Sequence, residues 1–235
     1  SAVSSPNLQD PTGQRLDRCD GALCLDGVPL AQIATTVGTP FYAYSAKALR
    51  ADYAALSQAV APHGVAVCFA VKANSNIHVL AEFARLGCGM DIVSGGEMTR
   101  ALAAGTPPER IIFSGVGKTE AEISAALQAG LRQINVESAA ELEVVSGVAR
   151  ALGLRAPVAF RVNPDVDART HAKITTGRKD SKFGIPATEI PALYATAAAR
   201  PELNVVGLAL HIGSQIRDLT PFREAGQTMA TLVGT

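Results

Sequence analysis

The sequence predicts an α/β fold. It reads as an incomplete (β/α)8 TIM-type barrel of about six βα units, preceded by a short β-rich N-terminal segment of a second β-domain. Three observations carry this reading. Apolar runs start near Val65, Met90, Ile111, Gln133, Pro157 and Val205, with helical spacing between them. Repeated units of that kind build a parallel sheet covered by helices. Polar residues stand where the runs end: Lys72, Asp91 and Ser94, Ser114, Glu137 and Ser138, Arg161 and Asn163, His211 and Ser214. A barrel places its chemistry at those C-terminal strand ends. The turn after the first run, Lys72-Ala73-Asn74-Ser75-Asn76, has no glycine. That argues against the phosphate turn of a doubly wound dinucleotide fold.

The elements follow in order. Residues 1–15 form a polar tail, 16–45 the β-rich segment and 46–235 the barrel portion. Residues 16–30 read as a hairpin with Asp26-Gly27 as its turn. Residues 31–37 are a short helix stopped by Gly38, and Phe41-Tyr42-Ala43-Tyr44 is a strand. Ser45 caps a helix whose apolar face is Leu49, Tyr53, Leu56 and Val60. The run from Val65 to Val71 is a buried strand that ends at Lys72. Ser75 opens a helix with Ile77, Leu80, Ala81 and Ala84 on one face. Ser138 opens another, with Leu142, Val145, Ala149 and Leu152. Several helices stop at glycine: Gly87, Gly105, Gly130 and Gly153. After His211 one helical stretch runs from Thr220 to Val233. A closed barrel takes eight units and about 250 residues, so the chain reads as part of a longer protein.

Composition narrows the function. Formal net charge is zero in 235 residues, which argues against a nucleic-acid or anionic-membrane surface. No apolar run approaches the length of a bilayer span. The N-terminal residues lack a signal-peptide core. Cys19, Cys24, Cys68 and Cys88 make no Cys-x-x-Cys pair and have no histidine cluster beside them. Zinc is disfavoured and reduced thiols in a cytoplasmic protein are expected.

Lys72 carries the chemistry. An ammonium at the end of an apolar strand is costly unless it is paired, deprotonated or covalently bonded. A lysine of lowered pKa attacks carbonyls, and pyridoxal phosphate (PLP) is the commonest such partner. Downstream, the apolar run 205–210 ends in His211-Ile212-Gly213-Ser214-Gln215. An imidazole, a glycine and a hydroxyl at a strand end suit a ring-stacking and phosphate-binding corner.

These motifs together resemble a known family. FAVKAN (69–74), MDIVSGGE (90–97), INVES (134–138), RVNP (161–164), TTGRKDSKFGI (175–185) and HIGSQI (211–216) are similar to those of the fold-type III, alanine racemase-like PLP-dependent decarboxylases. Within that family they look most like the diaminopimelate decarboxylase branch. The likeness runs from about residue 16 to the end of the chain. It implies that Lys72 holds PLP covalently, His211 stacks on its ring and Ser214 binds its phosphate. It also implies that Asp91 lies close to the lysine and Arg161 under the cofactor. The activity implied is decarboxylation of meso-diaminopimelate to L-lysine by a homodimer when full length. The family's pyridine-nitrogen partner, substrate-binding segment and proton donor are expected beyond Thr235, so the chain alone is expected to be inactive. Alternatives are an ornithine or arginine decarboxylase, a racemase, or a non-catalytic PLP-binding homologue. The charged loop from Asn163 to Ile185, with Arg169, Lys173, Arg178, Lys179 and Lys182, is expected at the active-site end.

Overall fold

A computed structural model describes residues 8–9, 15–163, 183–214, 216 and 218–234. The expected loop contacts of residues 164–182, including Arg169, Lys173, Arg178, Lys179 and Lys182, lie outside the described residues.

The chain opens with an antiparallel sheet of β1 (Leu8–Gln9), β2 (Arg15–Cys19), β3 (Ala22–Leu25) and β4 (Val28–Pro29). Asp26-Gly27 turns the chain as expected, with φ of 52° and 82°. A second Asp-Gly pair, Asp20-Gly21, does the same at 50° and 83°. Both residues of such a tight turn need positive φ, which Asp tolerates and Gly adopts freely. Helix α1 (Leu30–Val37) stops at Gly38.

Residues 41–44 have no regular secondary structure and form no ladder with any described residue, and Tyr42 is almost fully exposed. Aromatic content favours a strand, but only a paired neighbour makes one. Ser45 then caps α2 (Ala46–Val60), accepting from the Ala48 N–H and donating to Asp26 Oδ1. Leu49 and Tyr53 pack on the core, whereas Leu56 is exposed rather than on the buried face.

Six parallel strands follow: β5 (Cys68–Ala70), β6 (Gly89–Ile92), β7 (Ile111–Phe113), β8 (Gln133–Val136), β9 (Ala156–Asn163) and, after the two-residue β10 (Ile185–Pro186), β11 (Leu203–Leu210). Their spatial order is β5-β6-β7-β8-β9-β11, and β10 adds to the end of β9. Between them lie α3 (Ile77–Arg85), α4 (Gly95–Ala103), α5 (Glu120–Ala129), α6 (Ala139–Leu152) and α7 (Ile190–Ala198). Helix α8 (Thr220–Val233) comes last.

The order never reverses. With right-handed crossovers, that puts every connecting helix on one face and curls the sheet as a barrel does. A doubly wound sheet would change direction.

The alternation of each strand sorts its side chains. Met90, Ile92, Ile111, Phe113, Ile134, Val136, Val158 and Phe160 point outward and are fully buried under the helices. Phe69 stacks on Phe83 of α3 at 4.3 Å between ring centroids. Leu142, Val145 and Ala149 of α6 are fully buried, as its spacing predicts.

Two local expectations are corrected. The apolar run 65–71 is a strand only over Cys68–Ala70, with Val65 exposed and Val71 buried in a 3₁₀ turn, Val71–Ala73. Asn76, not Ser75, caps α3 by accepting from the His78 N–H, and the buried face is Val79, Leu80 and Phe83. The cap moves by one residue because Asn74 Oδ1 already binds the Asn76 N–H, turning the chain before the helix.

Candidate active site

Three capping motifs anchor the loops that leave the strands. Ser94 accepts from the Glu97 N–H, and Glu97 Oε2 accepts from the Val93 N–H at 2.7 Å. Ser138 and Glu141 repeat the arrangement, with Glu141 Oε2 on the Glu137 N–H at 2.6 Å. Thr119 and Glu122 form a reciprocal capping box at α5. Glu122 Oε1 also accepts from the Gly95 N–H at 2.8 Å, tying two neighbouring loops together. Ser94 and Ser138 at the strand ends are therefore helix caps.

The polar residues at the strand ends face inward. Lys72, Asp91, Ser114, Glu137, Arg161 and His211, from six successive strand ends, line one cavity of about 540 Å³. Four of the five expected site residues, Lys72, Asp91, Arg161 and His211, thus share a single concave surface. Ser214 lies three residues beyond His211, exposed and outside the cavity lining. Lys72 differs from its expected setting: it is exposed, not desolvated. The 3₁₀ turn lifts it past the last strand residue, toward the open mouth of the cavity.

Charge is arranged in pairs. Arg161 Nη1 donates to both carboxylate oxygens of Glu137, at 2.8 and 2.9 Å, and both side chains are largely withdrawn from solvent. The Arg161 guanidinium also lies 5.6 Å from the centre of the Phe183 ring. Burial pushes the Asp91 carboxyl above its ordinary value, while the Ser114 hydrogen bond and the charges of Lys72, Arg161 and Lys118 pull it down. Burial pushes His211 below 6.5, helped by Arg161 and Lys72 and opposed by Glu137. Its ring is therefore neutral at pH 7.

Sequence reasoning missed three neighbours. Gln133 and Asn135 line the same cavity, and the Lys118 side chain is fully buried beside it. The alternation Gln133-Ile134-Asn135-Val136-Glu137, polar in and apolar out, is the signal that finds the first two. Lys118, in a glycine-flanked loop, leaves no comparable signal.

A family model described as pyridoxal-dependent decarboxylase, pyridoxal binding domain, matches residues 46–234. The chain is 51% identical over 214 residues to the diaminopimelate decarboxylase of Pseudomonas aeruginosa, covering 91% of this chain and 52% of that one. Among solved structures, the diaminopimelate decarboxylase of Helicobacter pylori complexed with L-lysine superposes with a TM-score of 0.83 at 40% identity. It covers 87% of this chain and 52% of that one. The M. jannaschii enzyme in co-complex with L-lysine gives 0.86 at 36%, covering 93% and 52%. The chain spans about half the length of the relatives it matches. It belongs to the pyridoxal-dependent decarboxylases and carries their pyridoxal binding domain.

Proposed function

We propose that the full-length protein decarboxylates meso-diaminopimelate to L-lysine, the last step of lysine biosynthesis, with PLP held through Lys72. The observation that carries this is the convergence of Lys72, Asp91, Arg161 and His211 on one cavity. The chain around that cavity is half identical to a diaminopimelate decarboxylase. L-lysine, the product of such a reaction, is bound in two of the solved relatives.

The donor set fits the cofactor. The cavity offers an exposed primary amine for an aldehyde, a neutral imidazole whose flat face suits an aromatic ring, and a half-buried carboxylate. When bound, PLP supplies the electron sink for the pair of electrons left when carbon dioxide departs. Lys72, exposed at the cavity mouth, would hold the cofactor through its amine. Asp91, paired in register with Ala70 two residues before Lys72, sets the negative charge near that amine. His211 presents its ring from the opposite strand edge, and Ser214 offers its hydroxyl to the phosphate. The Arg161–Glu137 pair keeps the cavity floor polar and fixed.

The substrate carries a second amino-carboxylate far from the reacting carbon. A site built to bind both its donors and acceptors rejects analogues that leave buried groups unpaired. The test compares kcat/KM of the full-length enzyme for meso-diaminopimelate, ornithine, arginine and lysine. Preference for diaminopimelate is expected. Preference for ornithine or arginine overturns the substrate while leaving the cofactor reading standing.

We also propose that the protein works in the cytoplasm as a homodimer. Four free thiols and the exposed apolar Tyr42, Leu219 and Phe222 support this. No helix among the described residues is long and apolar enough to cross a membrane.

A further inference from the structure

Behind Asp91 runs a chain of side-chain hydrogen bonds that crosses three strands. Gln133 Nε2 donates to Asn135 Oδ1 at 2.6 Å, and Asn135 Nδ2 donates to Ser114 Oγ at 2.9 Å. Ser114 Oγ then donates to Asp91 Oδ1. All four groups line the cavity. The polarity is consistent along its length. Because the Ser114 oxygen receives the Asn135 N–H, its own proton is free to point at Asp91. The reverse polarity needs a protonated Asp91 donating back to Ser114. Lys72, Arg161 and Lys118 face Asp91 with positive charge and oppose that state.

The spacing of the chain is fixed by a second feature. The Lys118 side chain is fully buried, and its ammonium donates to Gly115 O at 2.6 Å, Asn135 O at 2.7 Å and Glu141 Oε1 at 3.0 Å. It also sits 5.5 Å from the centre of the Phe113 ring. A buried ammonium with three acceptors is fully satisfied and hard to displace. Two of those acceptors are the backbone carbonyls of Asn135 itself and of Gly115, which follows Ser114. Lys118 therefore clamps the ends of β7 and β8 at the distance the Asn135–Ser114 bond requires.

We propose that Gln133, Asn135 and Ser114 are positioning residues that act through Asp91, a one-way relay with Lys118 as its clamp. The relay occupies Asp91 Oδ1 with a donor, in a carboxylate that also feels the charges of Lys72 and Arg161. This rests on the reading of Lys72 and Asp91 as the cofactor pair. Without the relay a half-buried carboxylate, also facing the Cys68 thiol, Glu137 and His211 across the cavity, would take up a proton more readily.

The test uses full-length protein and two readouts. Carbon-13 NMR of the Asp91 carboxyl, without added PLP, follows its titration. Absorbance of the PLP-loaded protein follows the Lys72 chromophore against pH. Ser114→Ala should raise the Asp91 pKa by about one unit, the size of a lost hydrogen bond to a charged acceptor. Asn135→Ala should raise it in the same direction by less, and Ser114→Thr, which keeps the hydroxyl, should restore the wild-type value. The chromophore titration should move with Asp91 in each case. If Ser114→Ala and Asn135→Ala both titrate as wild type, the relay is wrong. Should Ser114→Ala not fold, an Asn135→Ala protein with an unshifted Asp91 overturns the proposal alone. If PLP attaches elsewhere than Lys72 but Asp91 still shifts, the cofactor reading fails and the relay stands.

Discussion

Arg161 and Glu137 sit where neither charge has much water, so each depends on the other. Removing one partner of such a pair leaves a buried charge uncompensated, a loss of about 3 kcal/mol or more. Glu137→Ala is therefore expected to destabilise the full-length protein by that order in urea unfolding. Arg161→Met combined with Glu137→Leu should recover much of the loss, because no lone charge is left. At His211 the sign of the pH effect follows from the lowered pKa. Above 6.5 the imidazole is neutral in both the folded and the unfolded protein, and the ring has no effect on stability. As pH falls from 6.5 toward the lowered folded value, the unfolded chain takes the proton first and stability is lost. Proton NMR should show His211 titrating below 6.5, and Arg161→Gln should move it upward. The chemistry-bearing residues were legible one by one, since Lys72, Asp91, Arg161 and His211 end apolar runs. Whether a side chain is desolvated was not legible: Lys72 is exposed because a 3₁₀ turn carries it past the strand. Turn geometry of that kind leaves no hydrophobic period to read.

At the scale of elements, Gly89 opens β6 pressed between Cys68 of β5 and Arg110, the residue before β7. A Cβ there would lie 2.6 Å from Arg110 O and 2.6 Å from Cys68 Sγ. The first is backbone and cannot swing away, so the strands must part. Gly89→Ala is expected to cost about 1–3 kcal/mol, read as a lower urea midpoint. Helix ends were readable where the cap is a serine before a periodic face, as at Ser45 and Ser138; Ser94, read as a strand-end polar residue, is a cap as well. They were misplaced by one residue where Ser75 and Asn76 compete and an asparagine turn decides. The strand expected at residues 41–44 failed for another reason. Pairing is a property of the neighbour, which local sequence does not carry. Glu82 shows what sequence could not have found: it gathers Arg50 of α2 and Arg85 of α3, and its carboxyl is held down to about 2. Its contribution is present above 4.5 and fades as pH falls toward about 2. Glu82→Gln should flatten that part of the acid-unfolding curve.

At the scale of the molecule, six strands in unbroken order curl around one cavity and leave β5 and β11 each paired on one side only among the described residues. The fold class was legible because six apolar runs and five intervening helical faces repeat one unit. The curvature was not in any single run; it follows from an order that never reverses. Among the described residues the barrel is unclosed, with its outer strands unpaired on one side. The 235-residue chain by itself is therefore expected to release no carbon dioxide from meso-diaminopimelate, measured by a coupled carbon dioxide assay. The central claim is that this cavity holds PLP on Lys72. Loading the full-length protein with PLP, reducing it with borohydride and mapping the labelled peptide by mass spectrometry tests this most directly. The account predicts the pyridoxyl group on Lys72, and none in a Lys72→Ala protein. Label on Lys118 or any other lysine, with Lys72 unmodified, would contradict it.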